Sequence, residues 1–203
     1  MSQLSYLEMR EEMVIVARLI WERRLTNAAG GNFAVRVDDN RILISPSLMA
    51  EKKHCILKPE DFLLIDYEQN ILEGRGQLSR EGLMHVLILQ NFQEIGCTIH
   101  AHPFYCMPFI ATGKPIPSLT EATMGRGDVG CIEWTKAYTP ELSTNVYNYF
   151  EEKRELATKK PIGMIMPKHG VVVSGPDIYM AYSMLERIEC DAFCAITIGG
   201  YLD

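Results

Sequence analysis

The stretch Cys97-Thr98-Ile99-His100-Ala101-His102-Pro103 organises the chain. Gly96 to Ile99 is apolar enough for the end of a buried strand. His100 and His102 stand two residues apart, so on an extended backbone both imidazoles point to the same face. Two nitrogen ligands held by a stiff element make half of a zinc site. The rest must come from His54, His85, His169 or carboxylates. His169 follows the apolar run Ile162–Met166 and precedes Gly170, so it closes a strand as His100 does and is the best third ligand. Three histidines with an open position suit a catalytic metal that acts as a Lewis acid on a carbonyl or hydroxyl oxygen.

Two acidic or basic neighbours matter to this site. Glu81 opens the helix expected before the histidine strand; it serves either the helix dipole or the chemistry, as general base or as a ligand that yields to substrate. His85 lies one turn after Glu81 on the same helical face, a position for a residue that supports the ligands. His54 lies in a polar region and is expected at the surface.

Composition bounds the possibilities. At 203 residues, 47% hydrophobic and 23% charged, the chain suits a single soluble domain spanning 1–203 that buries about 70% of its unfolded surface. A net charge of -6 without a basic patch argues against nucleic acid as a partner, and still allows an anionic substrate held by local donors. No apolar run reaches the length of a membrane span, and Met1-Ser2-Gln3-Leu4 does not begin a signal peptide, so no membrane partner and a cytoplasmic location are expected. The six cysteines form no CxxC pair, and a chain of this size needs no disulfide framework, so reduced thiols are expected. Cys190 and Cys194, one turn apart, read as core residues.

Outward from the histidine pair, residues 7–24 carry a helical stripe through Met9, Met13, Val16 and Ile20, with Ser5 as cap and Glu8 at the capping-box position. Phe33–Val37 and Arg41–Ser45 form a hairpin about Asp38-Asp39-Asn40. Phe62–Asp66 pairs with Ile71–Glu73. Ser79 caps a helix from Arg80 to Phe92 that buries Leu83, Val86, Leu87 and Gln90. Pro103 starts a short helix over 104–111, Asp128–Ile132 is extended, and Pro140–Leu156 is helical. Ile162–Met166 and Val171–Ser174 are strands, and a final helix covers Ile178–Ile196. Hairpins without a regular strand–helix–strand rhythm favour a mixed, largely antiparallel sheet flanked by helices over a Rossmann arrangement.

Gly30-Gly31-Asn32 matches no nucleotide-binding motif. Adjacent glycines nevertheless permit positive φ and close approach of a ligand to backbone amides. With Thr26 and Asn32 they form either a small anion cup or simply the turn that ends the first helix. Ser47 and Ser79 sit at element edges, as caps or as neutral donors to a phosphate.

In sum these motifs resemble, over residues about 8–195, the class II aldolase family that contains L-fuculose-1-phosphate aldolase, L-ribulose-5-phosphate 4-epimerase and the adducin head domain. Gly31-Asn32, Ile44-Ser45-Pro46-Ser47, Ser79-Arg80-Glu81, His100-Ala101-His102-Pro103 and His169-Gly170 follow one another in the family's order. The resemblance implies a three-layer α/β/α fold with a central mixed, mostly antiparallel sheet. It implies a homotetramer with active sites between subunits. His100, His102 and His169 resemble the ligands of a zinc ion (Zn2+), and Glu81 the catalytic glutamate. Asn32, Ser47 and Ser79, with Thr26 and Gly31 beside them, resemble the phosphate site. The implied reaction is retro-aldol cleavage of a ketose phosphate of the L-fuculose-1-phosphate kind; the substrate is a phosphorylated sugar or sugar acid.

The chain departs from that pattern at four places. Leu48 stands where the phosphate site usually has Gly. Arg80 replaces a small hydroxyl residue and offers a bidentate group to a phosphate or carboxylate. Glu121 stands near the place of a catalytic tyrosine and resembles the acid/base glutamate of the family's methylthioribulose-1-phosphate dehydratases. Tyr201 is the only tyrosine after the last helix, where fuculose-phosphate aldolase has a tyrosine-bearing tail. The alternatives on the same metal cradle are a dehydratase, decarboxylase or epimerase, with Glu121 as acid/base, or a non-catalytic adducin-like assembly domain.

Overall fold

The hairpin read from residues 33–45 lies near the middle of a single sheet in the computed structural model, which describes residues 4–199. The strands are β1 (Asn32–Arg36), β2 (Arg41–Ile44), β3 (Leu63–Asp66), β4 (Ile71–Glu73), β5 (Cys97–Ala101), β6 (Gly163–Met166) and β7 (Gly170–Gly175). Their order across the sheet is β4-β3-β2-β1-β5-β7-β6, and each neighbouring pair is antiparallel. An isolated parallel bridge between Cys131 and Ile165 adds the mixed element at the β6 edge.

The helices are α1 (Leu7–Glu22), α2 (Met49–Lys53), α3 (Gly82–Asn91), α4 (Met107–Thr112), α5 (Glu121–Met124), α6 (Pro140–Glu152), α7 (Arg154–Ala157) and α8 (Ile178–Ile198). Strand alternation sorts the core into two layers. Phe33, Val35, Ile99 and Val173 pack against Val16 and Ile20 of α1 and Leu185 and Ile188 of α8. Ala34, Ile42, Ile65 and Val172 pack against Val86 and Leu89 of α3 and Val146 and Phe150 of α6. The three-layer α/β/α fold follows from these two faces.

β5 is the strand that positions the site. Asn32 of β1 stands opposite His100 on one side, and Val172 of β7 opposite it on the other. Ile99 and Ala101 belong to the α1/α8 layer, so Thr98 and His100 face the α3 side by alternation.

Several local expectations are corrected. Ser5 does not cap α1: the N-cap is Tyr6 in a left-handed conformation, whose hydroxyl donates to Asp38, while the Ser5 carbonyl accepts from Arg10 Nε. Ser79 does not cap α3. The helix starts at Gly82 with Glu81 at the N-cap, and the Ser79 hydroxyl accepts from the Glu81 amide within a turn. α3 lies between the sheet and α6 and buries Met84, His85, Ile88 and Leu89 besides Val86, leaving Gln90 exposed and Leu83 and Leu87 half-buried. A helix covered on two sides has no single apolar stripe to read. α4 begins at Met107, with Pro108 rather than Pro103 in its first turn. The helix expected over 140–156 breaks at Lys153 into α6 and α7. Residues 128–132 make isolated bridges, Val129 with Ile116 and Cys131 with Ile165, rather than a strand. Cys190 is exposed and Cys194 half-buried, because α8 turns Leu185, Ile188 and Ala192 to the core instead. His54 is exposed, as expected, and stacks on Trp21 with ring centroids 5.0 Å apart. Residues 1–3 and Tyr201 lie outside the described residues. Among the described residues no helix is long and apolar enough to cross a membrane.

Arg10 is fully buried on α1. It donates to the carbonyls of Ser5, Pro59 and Phe62 and pairs with Glu73 at 2.6 Å. One guanidinium thus satisfies three carbonyls and ties α1 to the β3–β4 edge. Replacing it with Met strands these acceptors, so Arg10→Met should cost about 3 kcal/mol of stability in urea unfolding.

Candidate metal centre

His100 lies in β5 and His102 directly follows its last residue, and the turn between β6 and β7 brings His169 beside them. The ligand atoms of the three imidazoles lie within 4.8 Å of one another. The ring centroids of His100 are 5.0 Å from His102 and 4.8 Å from His169. Convergence depends on close backbone approach: a Cβ on Gly170 would stand 2.6 Å from His102 Cδ2 and 2.7 Å from both His100 Cε1 and the Ala101 carbonyl oxygen. No other residue fits there.

Hydrogen bonds set which nitrogen of each ring is free. His100 Nδ1 donates to the Val171 carbonyl at 3.0 Å, and His102 Nδ1 to Asn27 Oδ1 at 3.4 Å. Both protons therefore sit on Nδ1, and both Nε2 lone pairs point at each other across 3.3 Å. That arrangement is repulsive without a cation between the nitrogens. Two nitrogens held tetrahedrally at about 2.0–2.1 Å from one zinc stand roughly 3.3–3.4 Å apart, which the observed spacing matches.

Glu81 completes the centre. It is buried, with Oε2 3.4 Å from His100 Nε2 and Oε1 3.0 Å from His169 Nε2. The Oε1 contact is not aligned as a hydrogen bond, and neither Oε1 nor His169 Nδ1 has another partner among the described residues. Burial pushes the Glu81 carboxyl up, but His100, His169 and the Asn32 amide outweigh it and hold the group well below the ordinary carboxylate range. Burial pushes His102 down to about 3, reinforced by His100 and His169, and lowers His100. Burial thus disfavours charge on His100 and His102, beside an ionised carboxylate, the charge state a divalent cation requires of its donors. His100, His102 and His169 fit as ligands, with Glu81 beside the position left for another oxygen.

A pocket opens next to these groups. Its wall includes Gly31, Asn32, Ser47, Ser79, Arg80 and Glu81. Gly31 has φ +117°, a conformation glycine alone adopts readily. Leu48 also lines the pocket and stands in the left-handed region at φ 60°. The backbone therefore keeps the shape a glycine would favour, and the isobutyl group is added to the wall. Arg80 is exposed at the rim, its guanidinium 3.6 Å from the centroid of the Tyr138 ring. Tyr138 in turn lies 6.0 Å from the His169 ring.

Two sequence-expected residues stand elsewhere. Thr26 is buried behind the pocket: its hydroxyl donates to Gly30 O at 2.7 Å and accepts from the His102 amide, bracing the loop against β5. Glu121 is exposed in the first turn of α5, a helix packed on α8. The sequence reading missed Asn27, Thr98 and Tyr138. Strand parity with His100 places Thr98 on the α3 face and could have found it; Tyr138 arrives from the loop before α6 and carries no local signal.

The family model described as Class II Aldolase and Adducin N-terminal domain matches residues 11–196. The chain is 30% identical over 179 residues to an L-fuculose phosphate aldolase of Methanococcus maripaludis, covering 88% of this chain and 91% of the relative. It is 28% identical over 200 residues to a 3-oxo-tetronate 4-phosphate decarboxylase of Haemophilus influenzae, covering 96% and 90%. Among solved structures, an L-fuculose 1-phosphate aldolase superposes with a TM-score of 0.83 at 22% identity, over 99% of this chain and 90% of that one.

Gly170→Ala should weaken divalent-metal binding by about tenfold or more in chelator competition, because the added methyl displaces the His100 and His102 rings. Acid should destabilise the metal-free protein. Ordinary histidine titrates near 6.5, whereas burial holds His85 and His102 near 3 in the fold. Between those values the unfolded chain takes up protons that the fold refuses, so stability falls as pH drops below about 6.5. Urea midpoints of the metal-free protein at a series of pH values would check this.

Proposed function

Because the chain belongs to the class II aldolase and adducin N-terminal domain family, and its relatives named above act on phosphorylated sugars or sugar acids, we propose that it is a zinc-dependent aldolase cleaving a ketose 1-phosphate. The observation that carries this reading is the pair of His100 and His102 Nε2 lone pairs facing each other beside the free Oε1 of Glu81. A scaffold has no use for that arrangement. When bound, zinc supplies a Lewis acid for the ketose carbonyl and its neighbouring hydroxyl.

The chain's own groups do the rest. Gly31, Asn32, Ser47 and Ser79 hold the phosphate with neutral donors, and Arg80 adds charge at the rim, oriented by its stacking on Tyr138. In cleavage the C3–C4 bond breaks and its electron pair passes toward the C2 carbonyl. The C4 hydroxyl loses a proton as the aldehyde forms, and Glu81 Oε1, ionised in the resting site, takes up a proton from bulk water and passes it to C3, leaving dihydroxyacetone phosphate. One proton leaves O4 and one reaches C3, so the step balances. We assign the group that receives the O4 proton to Glu121, exposed on α5 and acting at a site of a neighbouring copy within a homotetramer. Thr26 keeps the anion loop in register with His102. The assembly is assigned to the cytoplasm, in keeping with the unpaired thiols among the described residues.

A second reading is decarboxylation of a 4-phospho-sugar acid, as the name of the Haemophilus influenzae relative describes. Arg80 favours it, since a guanidinium can hold a carboxylate bidentately. Zinc-loaded protein incubated with L-fuculose 1-phosphate should release dihydroxyacetone phosphate, detected by mass. Release of CO2 from 3-oxo-tetronate 4-phosphate with no cleavage of the ketose would overturn the aldolase reading. Glu81→Gln should lower kcat by about 10²–10⁴-fold, and Glu121→Gln by less.

A further inference from the structure

His85 is wholly buried, and the proposed chemistry assigns it no role. Its ring joins a chain of buried hydrogen bonds that ends at Glu81. Thr98 Oγ1 lies 2.6 Å from His85 Nδ1, His85 Nε2 lies 2.5 Å from Asn32 Oδ1, and Asn32 Nδ2 donates to Glu81 Oε2 at 2.7 Å. The chain runs along the α3 face of the sheet: Asn32 and Thr98 stand on adjacent strands, and His85 reaches down from α3 between them.

The direction of these bonds follows from one end. An ionised carboxylate only accepts, so the Asn32 amide must turn its NH2 group to Glu81 and its carbonyl to His85. That carbonyl also only accepts, so His85 carries its proton on Nε2. His85 Nδ1 then holds a lone pair and accepts the Thr98 hydroxyl proton. This tautomer is opposite to that of His100, whose proton is on Nδ1. Burial pushes His85 down to about 3, so the ring stays neutral and keeps one donor and one acceptor.

We propose that His85 is a positioning residue that fixes the orientation of the Asn32 amide, and through it reserves Oε2 of Glu81 as the anchored oxygen and Oε1 as the one that carries the proton. Without a donor at His85 Nε2 the Asn32 side-chain carbonyl would lose its only side-chain partner among the described residues, and the amide could rotate its oxygen toward the carboxylate. Glu81 would then lose its anchor and its aim. Thr98 sets the same choice one bond earlier, by occupying Nδ1 as a donor. The catalytic consequence rests on Glu81 acting as proposed above; the tautomer and the amide orientation do not.

Long-range proton–nitrogen NMR of the zinc-loaded wild-type protein tests the geometry without substrate. His85 should show the neutral Nε2–H pattern, and the Asn32 side-chain NH2 should be protected from solvent exchange. An Nδ1–H or a charged His85 ring would overturn the proposal, whatever the enzyme turns over. Two variants test the function. Gln places an amide nitrogen near the position of His85 Nε2, whereas Leu fills the space without a donor. His85→Leu should lower kcat about 10–100-fold on L-fuculose 1-phosphate while KM stays within about threefold and zinc content by elemental analysis stays stoichiometric. His85→Gln should recover most of that kcat and the protected Asn32 amide. Equal loss in both variants, a change in KM alone, or loss of zinc would overturn it. If His85→Leu does not fold, the wild-type tautomer and the His85→Gln amide signal decide the matter. If the wild type cleaves no ketose phosphate, the aldolase reading fails, and the NMR outcome still stands or falls separately.

Discussion

Two imidazole lone pairs pointed at each other inside a protein, next to an ionised carboxylate, set the terms for everything around them. Each ring is locked in that tautomer by a bond on its far side, His100 to Val171 O and His102 to Asn27. Neither can relieve the repulsion by moving its proton without abandoning that bond. Burial blocks the other escape, protonation, because a charged imidazole would lose its hydration. The fold therefore holds a local arrangement suited to a cation, and it uses core packing to do so.

The sheet makes this possible. β5 lies between β1 and β7, and both neighbours take part: β1 brings Asn32 into register with His100, and the turn entering β7 delivers His169. An antiparallel sheet lets three distant segments meet edge to edge with fixed spacing. Its cost is steric, and it is borne at Gly170, where two histidine rings and a carbonyl crowd the backbone. The opposite layer packs α1 and α8 over Phe33, Val35 and Ile99 and keeps β5 from shifting.

Beside the centre, the pocket lined by Gly31, Ser47 and Leu48 shows how a familiar backbone shape can carry different side chains. Leu48 adopts a conformation that costs a non-glycine residue roughly 1–2 kcal/mol. The α2 turn and the pocket wall are retained at that cost, and the isobutyl group narrows the pocket. Arg80 stacked on Tyr138 sets a positive charge at the mouth. These side chains distinguish the pocket from one built of glycine and small hydroxyls, while the metal centre behind it keeps three histidines and a glutamate.

The amino-acid sequence by itself determined the seven strands of the sheet and the meeting of three histidines, though not the strand expected over 128–132. His-x-His on a strand needs only the two-residue period to place both rings on one face, and His169-Gly170 repeats the strand-end pattern. The hairpin, β3 with β4, and the last helix were legible for the same reason, since each depends on short-range alternation or periodicity. Only the tertiary structure decided what lies across elements. α3 is covered by the sheet and α6 together, so its buried side could not be read from one stripe, and Ser79 and Ser5 lost their capping roles to turns fixed by distant partners. The Thr98–His85–Asn32–Glu81 chain joins two strands and a helix start, and the Tyr138 stack on Arg80 joins residues 58 positions apart in number. Directional contacts between segments depend on register and on rotamer, and neither is written in the local order of residues.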